Sequence, residues 1–231
     1  MSQADCHAWL TQTIDKRLGW RGRVWLAEHY QGRVTPNKVG LDARLAGVVK
    51  PLKHDKTTTV AKLEFNGQPL VLKRYNPRSQ WHKVKRALRR SRARRCWQMS
   101  YAFAEAGLNV AAPVMMFEYR FGPLRLDAYF IAQFLEGQEL LTVLPSLCDQ
   151  EKTLVAQEIN AAFSKMEAAK LSHGDMKASN LIWSNQKLFF IDLDAAQQHR
   201  SLLSWTAAHH KDRKRFKKNW AGSAELLKLF S

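Results

Sequence analysis

Four polar residues in the C-terminal part of the chain carry the chemistry that it is equipped for. Three lie in the run His173-Gly174-Asp175-Met176-Lys177-Ala178-Ser179-Asn180, and the fourth, Asp192, lies twelve positions further on in Ile191-Asp192-Leu193-Asp194. A carboxylate such as Asp175 can accept the proton of an attacking hydroxyl, and an ammonium such as Lys177 can neutralise a phosphoryl group in transit. An Asn and an Asp such as Asn180 and Asp192 can hold magnesium against phosphate oxygens. One residue of each kind, in this order, points to phosphoryl transfer onto an alcohol. The spacing supports the grouping. Leu181-Ile182-Trp183 reads as a strand, Ser184-Asn185-Gln186 as a turn, and Leu188-Phe189-Phe190-Ile191 as the returning strand. Such a hairpin brings Asn180 and Asp192 to one end, where they can share a metal. The His-x-Asp-x-x-x-x-Asn spacing alone arises in loops by chance; the hairpin-spaced Asp with its apolar run makes it specific.

The elements upstream must position these groups. Thr57–Phe65 and Gln68–Tyr75 are rich in strand-forming residues and are joined by Asn66-Gly67, a strong hairpin signal. On the second strand Val71 and Lys73 share a face, because side chains alternate along a strand. That face would set an apolar group against an adenine ring and an ammonium against its phosphates. Gln80–Ala106 reads as helix, single or double, with Trp97, Tyr101 and Ala104 on one face and Gly107 as its stop. Tyr129–Leu135 reads as a buried strand and residues 151–170 as an amphipathic helix with Leu154, Ile159, Phe163 and Met166 inward. Near the N-terminus Ala8–Leu18 has helical apolar spacing (Trp9, Ile14, Leu18). A strand-rich half followed by a helix-rich half predicts an α+β protein with a two-lobed, kinase-like order.

Charge is the second signal. The 231 residues carry 37 Lys and Arg against 20 Asp and Glu, a net +17. Eight of the thirteen residues from Lys83 to Arg95 are basic, and Lys211, Arg213, Lys214, Arg215, Lys217 and Lys218 form a second cluster with Asp212 as its one acid. Such an excess favours polyanionic partners: nucleic acid, an anionic membrane surface or phosphorylated substrates. Hydrophobic residues make up 45%, enough for a core. No apolar run is long enough to span a bilayer, and Met1–Cys6 has neither a basic nor an apolar signal region, so no secretory leader is expected. Cys6, Cys96 and Cys148 show neither metal spacing nor a disulfide framework, which favours a reducing compartment.

Three stretches together resemble the lipopolysaccharide core kinases, the protein-kinase-like family that phosphorylates heptose or Kdo sugars of the inner core. They are Leu72-Lys73-Arg74-Tyr75; Arg90–Trp97 leading to Ala106-Gly107-Leu108 and Pro113; and His173–Asn180 with Ile191–Asp194. The resemblance covers roughly residues 45 to 200. It implies a protein-kinase-like fold, use of ATP and Mg2+, a lipopolysaccharide core or other anionic glycolipid as substrate, and a peripheral position on the cytoplasmic face of the inner membrane. No specific nucleic acid is then expected. By the same resemblance Lys73 would bind the nucleotide phosphates, and Gln133, Phe134 and Leu135 would line the adenine hinge through backbone groups, beside the Val71 face. Asp175 would be the base, Lys177 would neutralise the phosphoryl, and Asn180 and Asp192 would bind magnesium. His173 would prop the loop from beneath the metal-binding turn. The expected division is an extension of unassigned structure over residues 1–45, a β-rich N-lobe with one long helix over 46–136, and a small, mainly helical C-lobe with a basic tail over 137–231.

The chain also departs from the protein-kinase pattern. No glycine-rich loop precedes Lys73, and Lys50–Thr59 stands in its place. The basic helix offers no acid before Glu105 to pair with Lys73, leaving Gln98 and Glu105 as stand-ins. Gly174 replaces an Arg, so no activation-loop phosphate switch is expected. Asp194 reads as a second metal ligand or as a turn cap. Few residues follow Asp192 and no Ala-Pro-Glu occurs, which argues against a peptide platform. In the tail, Trp205, Phe216, Trp220, Leu226, Leu227 and Phe230 read either as a membrane-inserting face or as core. Two alternatives remain beside the glycolipid kinase: a kinase of a protein or small metabolite, and a catalytically inactive kinase-like module that binds RNA or membrane.

Overall fold

The protein is described here from a computed structural model that covers residues 9–15, 20–26, 42–43, 52–54, 58–75, 91–121 and 124–230. It falls into two compact units: residues 1–98 with 112–134, and residues 99–111 with 135–231.

Among the described residues, the first unit is built on one antiparallel sheet of seven strands. They are β1 (Trp9–Asp15), β2 (Trp20–Leu26), β3 (Lys53–His54), β4 (Thr58–Phe65), β5 (Gln68–Tyr75), β7 (Pro113–Phe121) and β8 (Leu124–Gln133), in the order β1-β2-β7-β8-β5-β4-β3. β4 and β5 are joined by Asn66 and Gly67, both at positive φ (51° and 74°), the twist that a tight hairpin needs. Along β5, Leu70 and Leu72 are buried while Val71 and Lys73 lie on the opposite face. Arg74 fixes the strand's orientation. Its guanidinium contacts Asp42 at 3.2 Å and Asp127 at 3.7 Å, and the Tyr129 hydroxyl donates to Asp42 at 2.7 Å. Burial, with Asp42 as acceptor, pushes that phenol far above its usual pKa, so it serves only as a donor.

Of the segment expected to be helical at Ala8–Leu18, the described residues Trp9–Asp15 form β1 instead, paired with β2 from Trp9↔Trp25 to Asp15↔Trp20. Three apolar residues at spacings of five and four are a poor helical stripe, whereas Trp9, Thr11, Thr13 and Ile14 favour a pleated strand. Part of the stretch expected as an unassigned extension thus belongs to the main sheet. The expected helix over Gln80–Arg90 lies outside the described residues. From Arg92 to Glu105 it is present as α1, with Trp97, Tyr101 and Phe103 buried and Ala104 exposed. The inward position is therefore Phe103. The expected phosphate-covering segment Lys50–Thr59 is described only in part, with Leu52 exposed and Lys53–His54 forming β3.

The second unit combines the last turns of α1, a four-stranded sheet and four further helices. The sheet runs β6 (Asn109–Val110), β12 (Lys187–Phe190), β11 (Leu181–Ser184), β9 (Gln138–Glu139). The helices are α2 (Leu140–Val143), α3 (Asp149–Ala168), α4 (Leu202–Lys218) and α5 (Ala224–Lys228). Val155, Ile159, Ala162, Phe163 and Met166 of α3 are buried, four of them at helical spacing. Trp205, Phe216, Trp220, Leu226 and Phe230 are buried too, at 7% exposure or less, and only Leu227 is exposed. Phe216 meets Phe230 edge-on at 4.9 Å, and Trp220 stacks on Phe230. The tail aromatics close this core, each contributing about 1.5–3 kcal/mol by burial, so they do not form a membrane-inserting face. No helix among the described residues is long and apolar enough to cross a membrane.

The His173–Asn180 loop leaves β10 (Leu171–Ser172), which pairs with β13 (Gln197–Gln198). Gly174 sits at φ +77°, and a Cβ there would stand 2.5 Å from the Ala195 carbonyl oxygen. The loop and the turn after Asp192 pass each other in contact at this point, with backbone on the far side that cannot swing away. Glycine is required both for its φ and for its missing Cβ. Gly174→Ala is expected to destabilise the fold by roughly 2–4 kcal/mol. Urea unfolding measures this, and an unchanged midpoint would refute the close approach.

Candidate active site

The β11–β12 hairpin aligns the metal-binding candidates. Its two-residue turn, Asn185-Gln186, has both residues at positive φ (49° and 57°), and the strands pair from Ser184↔Lys187 to Leu181↔Phe190. Past the last pair, the Ile191 amide donates to the Asn180 carbonyl at 3.0 Å. Asn180 and Asp192 therefore flank the open end of one hairpin. Asp192 itself adopts φ +60°, a left-handed conformation that costs a non-glycine residue roughly 1–2 kcal/mol and clusters at functional sites.

Asp175 is the centre of the loop. Lys177 Nζ lies 3.1 Å from its Oδ2 and Arg215 Nη2 lies 2.5 Å from its Oδ1. Asn180 Nδ2 donates to the Asp175 carbonyl at 2.8 Å and approaches Oδ2 at 3.4 Å. Both side-chain hydrogen bonds of Asn180 thus run through Nδ2, and Oδ1 is the atom left to face a cation. The Asp175 side chain is 29% exposed as a whole, while its Oδ1 beside Arg215 is shielded from solvent.

Beneath the loop, Phe103 of α1 and Phe190 of β12 pack around the His173 ring at 6.4 and 6.1 Å. The Asp175 amide donates to His173 Nδ1 at 3.4 Å, so the proton sits on Nε2, which donates to the Ile191 carbonyl at 3.1 Å. His173 thereby ties the Asp175 backbone to the residue before Asp192, as a prop under the loop. Complete burial holds the imidazole below its usual range, against the pull of the Asp212 carboxylate.

Two residues of this site were not singled out by sequence reasoning. Asp212 is the sole acid of a basic cluster, yet it is 1% exposed. Its carboxylate accepts the His173 amide at 2.7 Å and the Gly174 amide at 3.0 and 3.2 Å, and so fastens the loop to α4. The signal was available: Asp212 shares the inward stripe of α4 with Trp205 and Phe216, where an isolated acid needs a buried partner. Arg215 follows one turn later and was read only as part of the charge.

The other expected site residues lie as follows. Val71 and Lys73 are on β5 and Gln133 ends β8, all in the first unit. Leu70 pairs with Gln133 and Val71 with Ala132. Leu135 follows at the start of the second unit's main segment. The amides of Gln133 and Phe134 are taken by the Ala112 and Pro69 carbonyls. Of these three amides, only that of Leu135 is uncommitted among the described residues. Asp194 is buried at 8% in the turn after Asp192, and Glu105 is exposed at the end of α1.

Two outcomes follow for stability. Asp212→Ala strands the buried His173 amide and leaves the part-buried Gly174 amide without its acceptor, so a loss of roughly 2–3 kcal/mol is expected in urea unfolding, with Asp212→Asn intermediate; a wild-type midpoint for Asp212→Ala would contradict the anchor. His173 gives a pH dependence. Its folded pKa lies below the unfolded value of about 6.5, so between the two the unfolded chain binds a proton that the folded one rejects. Stability therefore declines as pH falls below about 6.5 and does not depend on this group above it. Burial and the Arg213 charge shift His209 the same way. Thermal melting from pH 8 to 5 should show the decline, with a shallower slope in His173→Gln; equal slopes would exclude His173 as the source.

A family model described as the lipopolysaccharide kinase (Kdo/WaaP) family matches residues 44–224. The KEOPS complex subunit Bud32 of Pyrococcus abyssi (strain GE5 / Orsay) is 27% identical over 128 residues, 55% of this chain and 55% of that protein, so the match spans about half the length of that relative. A solved structure of WaaP in complex with acyl carrier protein superposes with a TM-score of 0.64, covering 90% of this chain and 88% of that one at 16% identity, a likeness of fold. The α+β class expected from the sequence is the observed one. Since the family match takes in most of the chain, including β5, the Asp175 loop and the Asp192 turn, the chain belongs to the lipopolysaccharide kinase (Kdo/WaaP) family.

Proposed function

We propose that the protein is an ATP-dependent phosphotransferase acting on a sugar hydroxyl, heptose or Kdo, of the lipopolysaccharide inner core. The observation that carries this reading is the cluster in the second unit. There Asp175 is flanked by Lys177 and braced by Asn180, and Asn180 shares one hairpin end with Asp192. Asp175 accepts the hydroxyl proton as the hydroxyl oxygen bonds the γ-phosphorus. The bond from that phosphorus to the bridging oxygen breaks, and ADP leaves with the electron pair. Lys177 offsets the negative charge of the group in transit. Positioning and charge neutralisation supply most of the acceleration in such a reaction.

The residues present fit Mg2+. This ion takes oxygen ligands and keeps waters and substrate phosphates among them, so one carboxylate and one amide oxygen from the protein suffice. Asp192 and Asn180 Oδ1 would provide them, and the ion would screen the phosphate oxygens. Lys73 and Val71 on β5, with Gln133 and the Leu135 amide, are proposed as the nucleotide-binding set.

The net charge of +17 favours an anionic glycolipid over a small neutral acceptor. It also fits a peripheral position on the inner face of the inner membrane, where each nearby Lys or Arg adds about 1 kcal/mol of attraction. The solved WaaP structure holds an acyl carrier protein, so a carrier protein is a further proposed partner.

The test is transfer of labelled γ-phosphate from Mg-ATP to lipopolysaccharide from a strain lacking the protein. Asp175→Asn should bind ATP like the wild type and transfer roughly 100- to 10,000-fold more slowly. A variant of undiminished rate would remove Asp175 as the base, and label absent from the core sugars with wild-type protein would remove the acceptor.

A further inference from the structure

The contact of Arg215 with Asp175 is left unexplained by phosphoryl transfer itself. A base needs an oxygen open to the acceptor hydroxyl, yet Lys177 stands on Oδ2 and Arg215 on Oδ1. Lys177 has a task on the transferred group. Arg215 has none, and it covers the remaining oxygen.

Three observations describe an arginine set to exchange partners. Its side chain is 40% exposed, so a ligand can reach it. Its Nε is shielded from solvent and donates no hydrogen bond, and Asp175 Oδ1 accepts none. The contact is therefore an ion pair without the forked, two-bond geometry that a guanidinium makes with a well-matched anion. Finally, Arg215 stands in a one-sign neighbourhood. Lys211, Lys214 and Lys218 are exposed along the same helix. The acid between them, Asp212, is buried and committed to the His173 and Gly174 amides. That anchor also fixes α4 against the loop, so a turn of the Arg215 side chain, with no helix movement, suffices to uncover Oδ1.

We propose that Arg215 is a specificity-determining residue for the acceptor: its guanidinium leaves Asp175 for an anionic group, a phosphate or a carboxylate, carried beside the reacting hydroxyl. The acceptor then supplies both the hydroxyl and the anion that opens the base to it. A neutral alcohol, or water, leaves Arg215 on Oδ1 and the base covered, which limits wasteful hydrolysis of ATP. This inference rests on the phosphoryl-transfer reading above and adds to it the charge of the acceptor.

The test is steady-state transfer from Mg-ATP to lipopolysaccharide from a strain lacking the protein. Wild type, Arg215→Ala and Arg215→Lys are compared, with KM measured separately for acceptor and ATP and melting temperatures in parallel. Each enzyme is also given the same acceptor stripped of phosphate with hydrofluoric acid, and a third batch with its carboxylates reduced. Arg215→Ala should raise the acceptor KM about tenfold or more while the KM for ATP stays within about twofold, and Arg215→Lys should recover part of the loss. The wild type should lose the same factor on whichever stripped batch lacks the recognised anion, which separates phosphate from carboxylate, and Arg215→Ala should not distinguish that batch from the intact one. An unchanged acceptor KM in Arg215→Ala overturns the inference. So does a fall in kcat of equal size on all batches with a lowered melting temperature, which is a structural role. Transfer by wild type that is indifferent to both treatments overturns it while leaving the kinase reading intact. No transfer by wild type to any batch overturns that reading, and this inference with it.

Discussion

The site depends on one buried carboxylate. Asp212 reaches from the middle of α4 to the His173 and Gly174 amides, three hydrogen bonds from two donors, of which the His173 amide is buried. Charge-assisted bonds of this kind are about twice as strong as neutral ones. They set the start of the loop, and the loop's own bonds carry that position forward. His173 links the Asp175 amide to the Ile191 carbonyl, and Asn180 links the Asp175 carbonyl to the hairpin end where Asp192 begins its turn. Asp175 and the Asn180–Asp192 pair are thereby placed by a single chain of contacts that starts on a helix distant in sequence.

The same arrangement explains why this loop carries glycine at position 174. The close passage against Ala195 excludes any Cβ, and the positive φ disfavours other residues independently. An arginine that would answer an activation-loop phosphate has no room here. The charges that meet Asp175 are instead ones already present, Lys177 on one oxygen and Arg215 on the other. α4 consequently has two roles. Its inward face, with Trp205, Asp212 and Phe216, holds the loop and closes the core, and its outward face presents cations.

The sequence was most legible where local rules act alone. Asn66-Gly67 announced a hairpin because two adjacent residues accept positive φ, and β4 and β5 are joined there. The spacing from Asn180 to Asp192 read as a hairpin for the same reason, although its turn is only Asn185-Gln186, with Ser184 still in strand. Legibility ended where long-range partners decide. Trp9–Asp15 forms a strand because β2 lies beside it, and apolar spacing within the segment carried no trace of that neighbour. Trp220 and Phe230 looked equally suited to a membrane or a core until Phe216 was placed against both. Asp212 was hidden by composition: among six cations it read as a diluting acid, and only its place on the apolar stripe of α4 marked it as buried.

On the function proposed above, this protein adds a phosphate to the lipopolysaccharide core through Asp175. Mass spectrometry of core oligosaccharide tests it most directly, comparing a strain lacking the protein with the same strain carrying the wild type or Asp175→Asn. The core of the deletion strain should be one phosphate lighter, restored by wild type and not by Asp175→Asn. Identical core masses in all three strains would contradict it.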